Sequence, residues 1–105
     1  MSWIFLLIAG IFEIAWPVGL KLAQNDAHRI GGLALAVIGM ALSGYFLYLA
    51  QKGIPIGTSY AVWTGIGAAG TFLVGIAAFG DQLNLMRSLG VFLIIGGVIT
   101  LKAAH

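Results

Sequence analysis

A chain of 105 residues and 11.0 kDa allows one domain at most. It is 61% apolar and 8% charged, with a mean hydropathy of +1.08, whereas a soluble domain carries about 25% charged residues to wet its surface. The absence of cysteine excludes disulfide scaffolds, thiolate metal sites and cysteine nucleophiles, and the five basic residues are too scattered for a nucleic-acid-binding patch. The sequence therefore predicts an integral membrane protein with no enzyme activity, cofactor, metal site or nucleic-acid partner.

Charged and turn-forming residues divide the chain into four hydrophobic segments. The predicted spans cover residues 3–20, 30–50, 58–79 and 84–102, close to the roughly 20 residues of helix that cross a bilayer core. Helices are required because an open sheet would leave backbone groups unpaired in lipid. We therefore predict an all-α integral membrane fold, with four transmembrane helices in a single domain.

The basic residues that flank these spans give little preference for one orientation. The side that holds both termini carries Lys52 and Lys102, and the opposite side carries Lys21, Arg29 and Arg87. A difference of one basic residue is too small to fix orientation by the positive-inside rule. Two interpretations stay open at this point: a small protein that has few charges, or copies that insert in both orientations.

Glu13 is the one charged residue near the middle of a predicted span. A charge at that depth costs roughly 2.5–3.5 kcal/mol on insertion scales, so a proton carrier or a counter-ion for a cation is favoured over a protonated structural residue. Gly10, Trp16 and Pro17 share its helical face, where the glycine leaves room and the indole offers an N–H and a cation–π surface. Ser43, in the second span, either bonds within its own helix or reaches Glu13.

The third and fourth spans carry patterned glycine and aromatic residues. Gly65 and Gly67 predict a weak point or kink in the third span. Gly90 and Gly97 lie two turns apart on one face of the fourth, a spacing that lets helices approach closely in lipid. The third span also carries a stripe of residues at helical spacing along one face, Tyr60, Trp63, Thr64, Gly67 and Thr71. This spacing fits either aromatic packing or a ligand-facing surface.

Taken together, these residues resemble the small multidrug resistance family of four-helix exporters, over essentially the whole chain. The resemblance rests on Glu13, on residues 55–67 and on Gly90 and Gly97. Within the family, residues 12–21 are similar to the first helix of the guanidinium-exporter subtype rather than the quaternary-ammonium subtype, and the serine at position 43 agrees.

The resemblance implies an antiparallel homodimer in the bacterial cytoplasmic membrane, with a homologous chain as the alternative partner. It also implies export of guanidinium-type cations in exchange for protons, both bound at Glu13 near the midplane. The small difference in basic residues agrees with such dual topology. By the same resemblance, Trp16 and Ser43 orient the bound ion, and Tyr60 and Trp63 line its pocket, to which the helical face that carries Glu13 adds Gly10. The resemblance also implies a hinge at Gly65 and Gly67 and a dimer contact at Gly90 and Gly97.

Three positions depart from the family pattern. Gly44 stands where a bulky residue is usual, one turn after Met40, and the family opens a lateral gap towards lipid there. We therefore predict a substrate portal at Met40 and Gly44 that admits guanidines with one small apolar substituent, the alternative being that Gly44 packs against a neighbouring helix. Asp81 and Ser59 replace a usual glutamate and a common alanine, away from the proposed site.

The residues leave two other functions open. One is a passive cation channel in which Glu13 is the selectivity charge, and the other is a non-transporting membrane assembly subunit that uses Gly90 and Gly97 as its contact surface. Coupling to a pH gradient separates an exporter from a channel. A Glu13→Gln substitution separates both from the assembly role, which should survive it.

Overall fold

Four long α-helices make up the computed structural model, which describes residues 1–104. Each of the four is long and apolar enough to cross a membrane, which confirms the all-α, four-helix part of the prediction. A short 3-10 turn, Asp26–His28, connects the first two. The helices are α1 (Ser2–Ala23), α2 (Arg29–Ala50), α3 (Ile56–Phe79) and α4 (Leu85–Ala104).

The helix ends have local physical causes. α1 continues past the predicted limit to Ala23, and Lys21 lies in its last turn, where a cation interacts favourably with the free carbonyl groups. α3 begins directly after Pro55, whose φ of −55° suits a helix start. It ends at Phe79, and the following Gly80 adopts the left-handed conformation with φ 70° that glycine tolerates best.

α1 and α2 form the closest helix pair of the molecule. A Cβ atom on Gly32 would lie 2.6 Å from the amide nitrogen of Ala23, and one on Gly19 would lie 2.7 Å from that of Ala36. Gly39 continues the contact further along α2, against the α1 backbone near Phe12. Small residues at this spacing let two backbones touch in lipid, so the two helices are locked along much of their length.

α3 packs against α1, and α4 brings its backbone close to α3 alone. The contact between α3 and α4 is made at Gly65, where the side chains of Val98 and Ile94 fill the space that a side chain would need. α4 contains no buried residue. The four helices therefore form a flat body measuring 44 × 34 × 16 Å, with α4 at one edge.

Three basic side chains near the helix ends lie over aromatic rings. Lys102 Nζ is 4.7 Å from the centre of the Trp3 ring, and Lys52 Nζ is 5.1 Å from that of Tyr48. The Arg87 guanidinium carbon lies 5.5 Å from the centre of a third ring, on α3. Such contacts lower the cost of keeping a cation near the bilayer surface.

Candidate functional site

Glu13 lies where α1, α2 and α3 converge. Its side chain is half-buried, and its methylene groups pack against Gly67 on α3, where an added Cβ would lie 2.5 Å from Glu13 Cγ. On the α2 side, Ser43 Oγ lies 3.5 Å from Glu13 Oε1. The glycine at position 67 therefore makes room for the carboxylate-bearing side chain between the helices.

Ser43 joins the three helices through its hydroxyl group. This side chain is fully buried, accepts a hydrogen bond from Trp63 Nε1 at 2.7 Å and donates one to the Ala9 carbonyl at 2.7 Å. A hydroxyl has a single hydrogen to donate, so it cannot serve Ala9 and Glu13 at once. The shorter distance assigns that hydrogen to Ala9 and leaves Glu13 Oε1 as a second acceptor within reach.

The aromatic residues proposed around Glu13 differ in their surroundings. The rings of Tyr60 and Trp63 lie 5.4 Å apart between centres and are tilted by 55°, which places Tyr60 beside the hydrogen-bonded indole. Trp16 is half-buried on α1, and its indole makes no hydrogen bond to any of residues 1–104. The space at Gly10 is filled, because an added Cβ would lie 2.6 Å from Ile66 Cγ2.

The predicted hinge residues lie in an unbroken helix. α3 runs from Ile56 to Phe79 without interruption. Gly65 and Gly67 are both buried and both accept the side chains of other helices. Close packing against other helices therefore accounts for glycine at these two positions. The hinge stays a prediction.

The remaining predicted positions are open to the surroundings. Met40 and Gly44 are exposed on α2, and a Cβ on Gly44 would meet none of the described atoms within 4 Å. Within the protomer, Gly44 therefore does not pack against a neighbouring helix. The same open space surrounds Gly90 and Gly97 on α4. The portal at Met40 and Gly44 and the dimer contact at Gly90 and Gly97 stay predictions.

The described residues also include site features that the sequence interpretation missed. The acceptor of Ser43 is a main-chain carbonyl, which no sequence pattern reveals. By contrast, the small residues along α2 stand at spacings of three and four and are a readable signal of close helix contact. They are Gly32, Ala36, Gly39 and Ser43.

The family described as Small Multidrug Resistance protein matches this chain over residues 1–94. The chain belongs to that family. Among its small multidrug resistance relatives, a guanidinium exporter of Yersinia pseudotuberculosis serotype I is 44% identical over 104 residues, 99% of each chain. One of Escherichia coli strain K12 is 45% identical over 102 residues, 97% of this chain and 96% of the relative. One of Salmonella typhimurium is 43% identical over 106 residues, 100% of each.

Membership of the small multidrug resistance family confirms the resemblance inferred from the sequence. Together with the four apolar helices, it indicates a multi-pass membrane protein. The relatives are transporters by name.

Proposed function

We propose that this chain exports guanidinium and small substituted guanidinium cations in exchange for protons, by alternating access. The relatives named guanidinium exporter support the choice of cation. The observation that carries the proposal is the position of Glu13, the one acidic residue within α1–α4, whereas Asp26 and Asp81 lie outside these helices. A half-buried carboxylate among membrane helices is best explained as a binding site for a proton or a cation.

The neighbours of Glu13 suit a planar cation that is rich in N–H donors. A carboxylate can accept two parallel hydrogen bonds from a guanidinium group. The rings of Tyr60 and Trp63 add a cation–π surface at one side. The Ser43 hydroxyl, held by Trp63 and Ala9, stands 3.5 Å from the carboxylate and offers one further polar contact. Quaternary ammonium ions have no N–H group and should be poor substrates.

Exchange follows from competition for one carboxylate. Glu13 holds either a proton or the cation, and each of them removes its negative charge. If the protein reorients across the membrane only when that charge is neutralised, because moving a bare charge through lipid is costly, inward proton flow drives outward cation flow. No other coupling device is needed.

An antiparallel homodimer in the bacterial cytoplasmic membrane would supply two equivalent states. Two facts support this assembly: the flanking basic residues differ by one between the two sides, and α4 has no buried residue. The open surfaces at Gly90 and Gly97 are the proposed contact between copies. In this assembly the Glu13 carboxylates of both copies would face one another near the midplane, and Met40 and Gly44 would border a portal to lipid.

Guanidinium uptake into proteoliposomes tests the proposal. With an acidic interior, the parent protein should accumulate guanidinium, and Glu13→Gln should abolish this uptake while the protein still inserts and dimerises. Asp26→Asn is the matched control, because it removes a carboxylate that pairs with Arg29 outside the bundle, and it should retain uptake. Gradient-driven uptake by Glu13→Gln contradicts the mechanism, and uptake by the parent that ignores the gradient indicates a channel.

A further inference from the structure

A cavity of about 250 Å³ opens between α1 and α3, one helical turn beyond Glu13. Each of the two helices presents a row of residues at four-residue spacing on one face. On α1 the row is Glu13, Pro17 and Lys21, and on α3 it is Gly67, Thr71 and Gly75. Because Gly67 contacts Glu13, the cavity begins beside the proposed site and extends towards the end of the bundle that holds Lys21 and Asp81.

One polar group in the wall of this cavity lacks its usual partner. Thr71 Oγ1 is buried, and none of residues 1–104 forms a hydrogen bond with it. Pro17 has no N–H group, so the Glu13 carbonyl loses the donor that an ordinary helix would provide four residues later. Buried polar groups nearly always have a partner, so the unpartnered Thr71 hydroxyl points to a polar ligand in the space that it borders.

The outer part of the cavity holds a carboxylate without an ionic partner. The Asp81 N–H donates to the Gly75 carbonyl at 3.0 Å, which folds the chain back over the end of α3. Its carboxylate then lies against Gly75, where any added Cβ would collide with it. Within residues 1–104 the one ion pair joins Asp26 to Arg29, so no basic side chain lies within ion-pair distance of Asp81.

We propose that this cavity is a second cation site, in which a guanidinium-type cation rests between the loops and Glu13. The proposal depends on the proposed function for the identity of the cation. The Asp81 carboxylate and the Thr71 hydroxyl act as acceptors, and the half-buried ring of Phe79 in the cavity wall adds a cation–π surface. An N–H-rich cation can thus replace its water partners in two stages before it reaches Glu13.

Lys21 sets the strength of this site. Its side chain also lines the cavity, makes no ion pair among the described residues and is exposed, so its charge opposes that of a bound cation from the rim. The second site should therefore bind more weakly than Glu13, as suits a transit site. Removal of the Lys21 charge should strengthen cation binding, whereas removal of the Asp81 charge should weaken it.

Guanidinium binding to the purified Glu13→Gln protein, measured by calorimetry in detergent, separates the second site from the first. This variant should keep one weak site, and adding Asp81→Asn should raise its Kd roughly threefold or more, while Lys21→Gln lowers the Kd by a similar factor. Asp26→Asn, the matched loss of charge outside the cavity, should leave the Kd unchanged. Thr71→Val should weaken binding and Thr71→Ser should preserve it, which tests the hydroxyl with little change in shape.

The results also distinguish this inference from the proposed function. If Glu13→Gln binds no guanidinium, or if Asp81→Asn and Asp26→Asn have equal effects, the second site is wrong, even when the parent protein shows gradient-driven uptake. If the cavity site binds as expected but the parent protein shows no such uptake, the second site stands and the exporter function is wrong.

Discussion

The two edges of the flat protomer are built in opposite ways. At the α1–α2 edge, backbone meets backbone through Gly19 and Gly32, and a single added methyl group at either position would collide with main-chain atoms. At the α4 edge, no residue is buried, and Gly90, Gly96 and Gly97 face open space. Glycine therefore has two different uses in one small molecule. In α1 and α2 it lets two helices of one protomer touch, whereas in α4 it lies on a surface that remains free for a partner.

The largest effect is expected where the backbones touch. Gly32→Ala places a Cβ 2.6 Å from the amide nitrogen of Ala23, and because main-chain atoms cannot turn aside, we expect a loss of about 3 kcal/mol in the free energy of unfolding. Thermal unfolding in detergent measures this change. Gly31→Ala is the matched control, since a Cβ there meets nothing within 4 Å, and it should change stability by less than about 1 kcal/mol. Equal losses in the two variants would mean that α1 and α2 are not in contact at Gly32.

The second-largest effect is expected on dimerisation rather than on the stability of the protomer. Gly97→Leu should leave thermal stability of the protomer within about 0.5 kcal/mol, because a Cβ there would meet none of the described atoms within 4 Å, yet should weaken dimerisation about tenfold and lower transport. Cross-linking in liposomes at several protein-to-lipid ratios measures the association. Gly96→Leu, the adjacent glycine with equal free space, points about a quarter-turn away and should dimerise normally. Normal dimerisation of Gly97→Leu would remove this face from the proposed contact.

A third prediction concerns how the copies that meet at α4 are oriented. If the partner is inserted the opposite way, Ala104→Cys in this cysteine-free chain should be labelled by a membrane-impermeant thiol reagent from both sides of the membrane, in about equal amounts. Labelling from one side alone contradicts dual topology. Two lysines added to the loop at residues 24–28 should then favour one orientation and reduce transport, and an oppositely biased copy should restore it.

The smallest effect is expected on substrate range. Gly44→Phe should lower transport of a mono-alkylguanidine several-fold more than transport of guanidinium, because the added ring would occupy the open space on α2 where an alkyl tail would pass. Side-by-side uptake of the two cations gives the ratio. The parent protein and Gly57→Phe, a substitution at another open glycine, are the controls. An equal fall for both cations, or no change, contradicts a portal at Gly44.

Much of the fold was predictable because lipid permits few alternatives. The four spans follow from hydropathy, and the turn at Pro55 and the end of α3 at Gly80 follow from the backbone preferences of those two residues. The special position of Glu13 follows from the cost of a charge in lipid. These inferences need no knowledge of how the helices are arranged.

Other features depend on which helix faces meet and were not predictable from one sequence. Gly10 was expected to leave room for a ligand, but Ile66 from α3 fills that space. Ser43 was expected to bond its own helix or Glu13, but its closest acceptor is the Ala9 carbonyl of α1. In both cases the partner comes from another helix, and the pairing of helix faces is a tertiary property that periodicity within a single span does not encode.

The thinness of the protomer has a consequence for the cell. A body 16 Å across in its shortest dimension leaves the Glu13 side chain half-exposed, so a lone copy would present a carboxylate to its surroundings. If the working unit is a pair, mass action sets the fraction of chains that are active. At low copy number, transport should then rise with about the square of expression level and approach direct proportion once most chains are paired. A modest increase in gene dosage would thus produce a more than proportional increase in transport.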